Sequence, residues 1–234
     1  MPLDDPETVK AQYAREDNLR ARQSMYAEVS GPHPHEVLWQ TLVEWKPRRV
    51  LEVGGGPGEL AERMQKELGA EVSFLDISPR MVELARERGV DAQVGDVQSL
   101  PFEDGSFDTV VAAWMLYHVP DLDRALAEMA RVLRPGGALV AVTNSILHLS
   151  EFRELIAYPD VLRETFNREN GQELLRKHFA EVERLDLELT VTVRDRQALV
   201  DYQQSTSVPT QPVPEHVDLP FVTHSRVTIF VAMT

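Results

Sequence analysis

The chain has 234 residues, 43% hydrophobic and 26% charged, which suits one sizeable globular domain. Its 38 acids against 24 bases give a net charge of -14, which repels phosphate backbones and argues against nucleic acid as a partner. The absence of cysteine removes disulfides, thiolate nucleophiles and Cys-ligated zinc together.

Residues 5–30 read as helical: Asp5 can cap, Pro6 suits a first turn, and good helix formers follow. GPHPH (31–35) breaks that pattern, and Leu38, Leu42 and Trp45 then form a short amphipathic face. From Arg48 the pattern alternates. RRVLEV predicts a buried strand. Leu60, Ala61, Met64 and Leu68 follow at helical spacing and stop at Gly69. EVSFLDI predicts a second strand, and Ser78-Pro79 a cap and first turn for the next helix. AQVGD is a short third strand and FDTVVAAWM a fourth. Asp121 caps a helix that RPGG ends, before a fifth strand, ALVAVTN. Beyond residue 145 come a helix over 171–179, an alternating strand over 185–193, a short helix over 195–205 and a final strand, SRVTIFVAM. Such alternation predicts a parallel sheet covered on both faces. The first ten residues are acidic and polar, unlike a secretion signal, and no apolar run approaches a membrane span. A cytoplasmic protein is expected.

VLEVGGGPGEL (50–60) carries the chemistry. In open α/β sheets ligands bind outside the carboxyl ends of the strands, and Gly54, Gly56 and Gly58 fall there. Glycine lets the backbone approach a ligand closely. The spacing is not that of the dinucleotide fingerprint, since Glu59 stands where its last glycine belongs, and there is no Walker lysine. Glu52, just before the loop, disfavours a diphosphate and favours a ligand carrying positive charge. Asp76 closes the second strand, where a carboxylate takes the hydroxyls of a ribose, or caps the next helix. Asp96 closes the third; it is placed to accept from an adenine amino group beside the Val97 N–H, or is an ordinary loop aspartate. WMLYHVPD ends the fourth strand. His118 there is the candidate general base, or hydrogen-bonds the next loop, and Trp114 and Tyr117 are candidate pocket walls or core aromatics.

VLEVGGGPG, FLDISPRMVELAR, GDVQSLPFEDGSFDTVVAAWMLYHV and VLRPGG together resemble the successive motifs of class I S-adenosylmethionine-dependent methyltransferases, in the type 11 branch. The resemblance covers roughly residues 48–143. It implies a Rossmann-like, doubly wound, seven-stranded and mostly parallel sheet, the last strand antiparallel, with an N-terminal helical segment. It implies S-adenosyl-L-methionine as cofactor, with Glu52, Gly54, Gly56 and Gly58 around its methionyl part. Asp76 with Ile77 would hold the ribose, Asp96 with Val97 the adenine, and Trp114 would lie near the cofactor. In this reading residues 1–46 are a helical lid and 47–234 the methyltransferase domain. Stretches 146–171 and 195–222 shape the substrate site, and Tyr26 and Tyr117 face a small-molecule methyl acceptor. His33 and His35 lack a third ligand, so no metal is expected, and a homodimer is compatible with the chain. The rival readings are a cofactor-binding protein without catalysis, a nicotinamide-dependent oxidoreductase and an RNA methyltransferase. Loop spacing and Glu52 argue against the oxidoreductase, and the acidic balance against RNA.

Overall fold

The computed structural model describes residues 21, 24–160, 165–206 and 208–234. Its centre is one eight-stranded sheet. In chain order the strands are β1 (Val29–Ser30), β2 (Arg49–Val53), β3 (Glu71–Asp76), β4 (Asp91–Val94), β5 (Phe107–Ala113), β6 (Leu133–Asn144), β7 (Glu181–Val193) and β8 (Phe221–Met233). Across the sheet they run β1-β7-β8-β6-β5-β2-β3-β4. Strands β4, β3, β2, β5 and β6 are mutually parallel, whereas β8 runs antiparallel between β6 and β7. The seven-stranded expectation therefore holds, with the two-residue β1 added on the β7 edge.

The helices are α1 (Pro34–Trp45), α2 (Glu59–Arg63), α3 (Pro79–Glu87), α4 (Leu122–Val132), α5 (Ser150–Leu155), α6 (Gly171–Leu175) and α7 (Arg196–Gln204). A five-residue π-helical turn, Met64–Leu68, continues α2 and ends at Gly69 in the left-handed conformation. Local chemistry explains their limits. Pro79 opens α3 after Ser78, whose hydroxyl accepts from the Met81 N–H. Asp121 does the same for α4 through the Arg124 N–H.

Successive strand residues face opposite layers, and the core divides accordingly. Leu51, Val110 and Leu139 pack on Leu126 and Met129 of α4. Val50, Val111 and Val140 share the other layer with Leu38 and Leu42 of α1, Met64 of the π turn and Ala85 of α3. A third cluster joins Met25, Phe152 of α5, Val191 and Val193 of β7, and Leu199 of α7.

Three expectations need correction. The helix read over 5–30 lies mostly outside the described residues, but its end is not helical: Val29–Ser30 pairs with β7. The break over GPHPH is also shorter than read, because α1 already begins at Pro34. RPGG does not itself end α4, which stops at Val132; it lies inside β6 as a bulge, where Phe107 pairs with Leu133 and Thr109 next pairs with Ala138. Among the described residues no helix is long and apolar enough to cross a membrane.

Candidate active site

The chain passes from β2 outward to β3 and β4, then returns to β5 on the other side of β2. That reversal opens a crevice at the carboxyl ends of β2 and β5. A cavity of about 840 Å³ occupies it. This lies within the roughly 300–1,000 Å³ range of small-molecule sites, towards its upper end. Of the residues singled out from sequence, Tyr26, Glu52, Gly54, Gly56, Asp76, Ile77, Asp96, Val97, Trp114, Tyr117 and His118 all line it.

Gly58 does not line it. It sits at the start of α2 with φ 79°, and a Cβ there would come 2.8 Å from Cβ of Ala85 on α3. Its glycine is explained by helix packing. Gly56 differs: φ is 59°, and a Cβ would meet nothing within 4 Å. Its bare face is open. Gly55, extra in the sequence pattern, lies over Glu52, and a Cβ there would fall 2.4 Å from the carboxyl carbon.

Glu52 is 1% exposed. The Ala61 N–H in the first turn of α2 donates to its carboxyl, while Oε2 is buried with no hydrogen-bond partner among the described residues. Burial pushes its pKa up to about 8, with the nearby Asp76 adding to the rise. Asp76 is also buried, and its Oδ1 accepts from the Ser78 N–H at 2.8 Å. Burial raises its pKa to about 6 against the pull of the Ser78, Gly56 and Ile77 N–H groups. Two adjacent buried carboxyls with raised pKa values suit a ligand that brings positive charge or hydroxyl donors to them. The residues therefore fit a cationic, ribose-bearing cofactor: an orphaned acidic oxygen, a bare glycine and a second buried acid face one crevice. Asp96 is exposed, and its Oδ1 accepts from the Gln98 N–H at 2.9 Å. Val97 beside it is buried.

Trp114 follows β5 with φ 55°, a conformation that costs a non-glycine residue about 1–2 kcal/mol. Three contacts hold it there. Its N–H donates to the Val142 carbonyl, its Nε1 donates to Asn144 Oδ1 at 3.2 Å, and its ring stacks on His35 at 4.5 Å. His118 ends a 3-10 turn, its ring against Tyr117 at 4.5 Å.

Sequence reasoning named no individual residue on the other side of the cavity, although His148 and Tyr202 fall in the stretches 146–171 and 195–222 expected to shape the substrate site. Asn144 ends β6, Ser225 and Val227 lie on β8, Leu189 on β7 and Tyr202 on α7. His148 is 5% exposed and lies 3.1 Å from the Tyr26 hydroxyl. These two residues are 122 positions apart, and only the antiparallel hairpin and α5 bring them together. No motif spacing joins them.

Residues 51–141 match the family model described as a methyltransferase domain. The ubiquinone/menaquinone biosynthesis C-methyltransferase of Methylobacterium nodulans is 40% identical over 43% of this chain and 43% of that protein. The ubiquinone biosynthesis O-methyltransferase of Xanthomonas oryzae is 44% identical over 41% of this chain and 42% of that protein. The matched stretch thus spans less than half the length of these curated relatives. In structure, the phosphoethanolamine N-methyltransferase 2 of Haemonchus contortus, in complex with phosphomonomethylethanolamine and S-adenosylhomocysteine, superposes with a TM-score of 0.67 at 18% identity. That match covers 100% of this chain and 61% of the other, and at this identity it speaks to fold alone.

Proposed function

We propose that residues 51–141, which match a methyltransferase-domain model, bind S-adenosylmethionine in the class I manner, and that the chain transfers a methyl group to a small-molecule acceptor. S-adenosylmethionine, when bound, supplies a methyl already activated on a sulfonium. The chain's work is then to hold two molecules in line and keep water out. Glu52 offers its unpaired oxygen to the cofactor's positive charge, and Gly54 and Gly56 let the backbone close on it. Asp76 with Ile77 takes the ribose, and Asp96 with the Val97 N–H takes the adenine. Trp114 fills the boundary between cofactor and acceptor. Tyr26 and Tyr117 face the acceptor. His118 accepts a proton where the attacking atom carries one. The acidic, cysteine-free composition supports a cytoplasmic enzyme whose acceptor is not nucleic acid.

The observation that carries this reading is the orphaned Oε2 of Glu52 in the switch-point cavity. Calorimetry with S-adenosylmethionine and S-adenosylhomocysteine tests it. Both are expected to bind, and Asp76→Ala to weaken each by about tenfold or more, the loss of a charge-assisted hydrogen-bond pair. No heat with either compound, or tighter binding of NADH, rejects it.

A further inference from the structure

The sheet order sorts the cavity wall by chemistry. Asp96, Asp76 and Glu52 stand at the ends of β4, β3 and β2, so the acids cluster on one side. Beyond Trp114 the wall passes to β6, β8 and β7; β8 lies three strand spacings from β2, about 14 Å. There the described lining residues are Asn144, Ser225, Val227, Leu189, Tyr202 and the Tyr26–His148 pair. None of the first five is an Asp, Glu, Lys, Arg or His. Arg63, the cation among the described lining residues, stands on α2 and is engaged by the Trp39 ring, Glu36 and Glu67.

His148 adds no charge to this wall. The backbone N–H of Arg226 points at its Nδ1 at 3.2 Å, with Ser225 Oγ at 3.5 Å. A backbone N–H can only donate, so Nδ1 keeps its lone pair and the ring proton sits on Nε2. Nε2–H then donates to the Tyr26 hydroxyl oxygen at 3.1 Å. Burial, with Arg153 and Arg226 nearby, drives the His148 pKa down to about 3, so the ring stays neutral.

On the methyltransferase reading above, we infer that this outer half of the cavity selects an uncharged, ring-sized acceptor bearing a hydroxyl group, and that His148 is a positioning residue that fixes Tyr26 against it. A carboxylate, phosphate or ammonium placed there would be desolvated without a counter-charge. A hydroxyl both donates and accepts, as do the amide and hydroxyl groups of this wall. The Trp114, Tyr26 and Tyr202 rings with Leu189 and Val227 suit a flat apolar body.

Three probes share one ring and differ in charge: catechol, 3,4-dihydroxybenzoate and dopamine. S-adenosylhomocysteine is titrated first, and its failure to bind sinks the parent reading on its own. The probes are then ranked by calorimetry with and without it. Catechol is expected to bind about tenfold or more tighter than either ion. Equal or tighter binding of an ion, or no catechol binding at all, overturns the acceptor class. Tyr26→Phe and His148→Leu should each lose about tenfold in catechol affinity, while His148→Gln, which can still donate, keeps most of it. S-adenosylhomocysteine affinity should stay unchanged in all three. Long-range proton–nitrogen NMR should find the Nε2–H tautomer from pH 5 to 8. An Nδ1–H or protonated ring, or a His148→Gln no better than His148→Leu, overturns the positioning role.

Discussion

Glu52 costs the protein stability at the pH where it is useful. Its folded pKa of about 8 stands above its ordinary 4.5, so the folded state holds the proton more tightly than the unfolded chain. The stabilisation this brings is complete below about pH 4.5 and is lost as pH climbs to about 8. At pH 7 roughly 3 kcal/mol of it has gone, taking about 1.4 kcal/mol per pH unit. Glu52→Gln should therefore stabilise the cofactor-free protein to urea at pH 7, with little effect near pH 4.5, while weakening cofactor binding at least about tenfold. Paired urea and calorimetric titrations check both halves. His148 leans the other way. Its lowered pKa makes folding lose stability as pH falls from about 6.5 towards 3, and His148→Gln should flatten that acid limb of a urea midpoint series. Gly58, outside the cavity lining, and Gly56, within it, separate in the same spirit. Gly58→Ala collides with Ala85 and should cost about 1–3 kcal/mol. Gly56→Ala has room, bears only the left-handed strain, and should act chiefly on cofactor affinity. Acids and glycines were legible because strand ends are legible. His148 was not, because its meaning depends on a backbone N–H from β8 and a hydroxyl far away in the chain.

Among elements, α1 shows where sequence reading divides the chain in the wrong place. Residues 1–46 read as one lid, yet Leu38, Trp39 and Leu42 are buried in the same layer as Val50 and Val111. The part from Pro34 onward is body. Leu42→Ala should thus cost about 2–5 kcal/mol in chemical denaturation, as a core leucine does, rather than affect turnover alone. The strand–helix alternation from β2 to β6 was plain, since apolar runs, caps and left-handed glycines all agreed. What composition hid were the features made by pairing. β1 exists only through Val191 and Thr190 of β7, and the RPGG bulge only through the register of β5. Likewise β7 begins at Glu181, four residues before its alternation becomes clean, because those residues, the partly buried Val182 apart, are exposed and still pair with β8.

For the whole molecule, ligand binding should register as both folding energy and proton exchange. Cofactor at a hundred times its dissociation constant adds about 2.7 kcal/mol to unfolding. Because Glu52 is mostly protonated at pH 7 when no positive ligand is near, binding of S-adenosylmethionine should expel about one proton. Calorimetry in buffers of different ionisation enthalpy reads that number directly, and Glu52→Gln should reduce it towards zero. The division of the cavity along the sheet has a longer reach. Grip on the cofactor depends on β2, β3 and β4, whereas the opposite wall hangs on a separate hairpin, β7–β8, and on α7. On the proposed reading, drift or laboratory evolution in that hairpin would change the acceptor while the methyl donor stays the same.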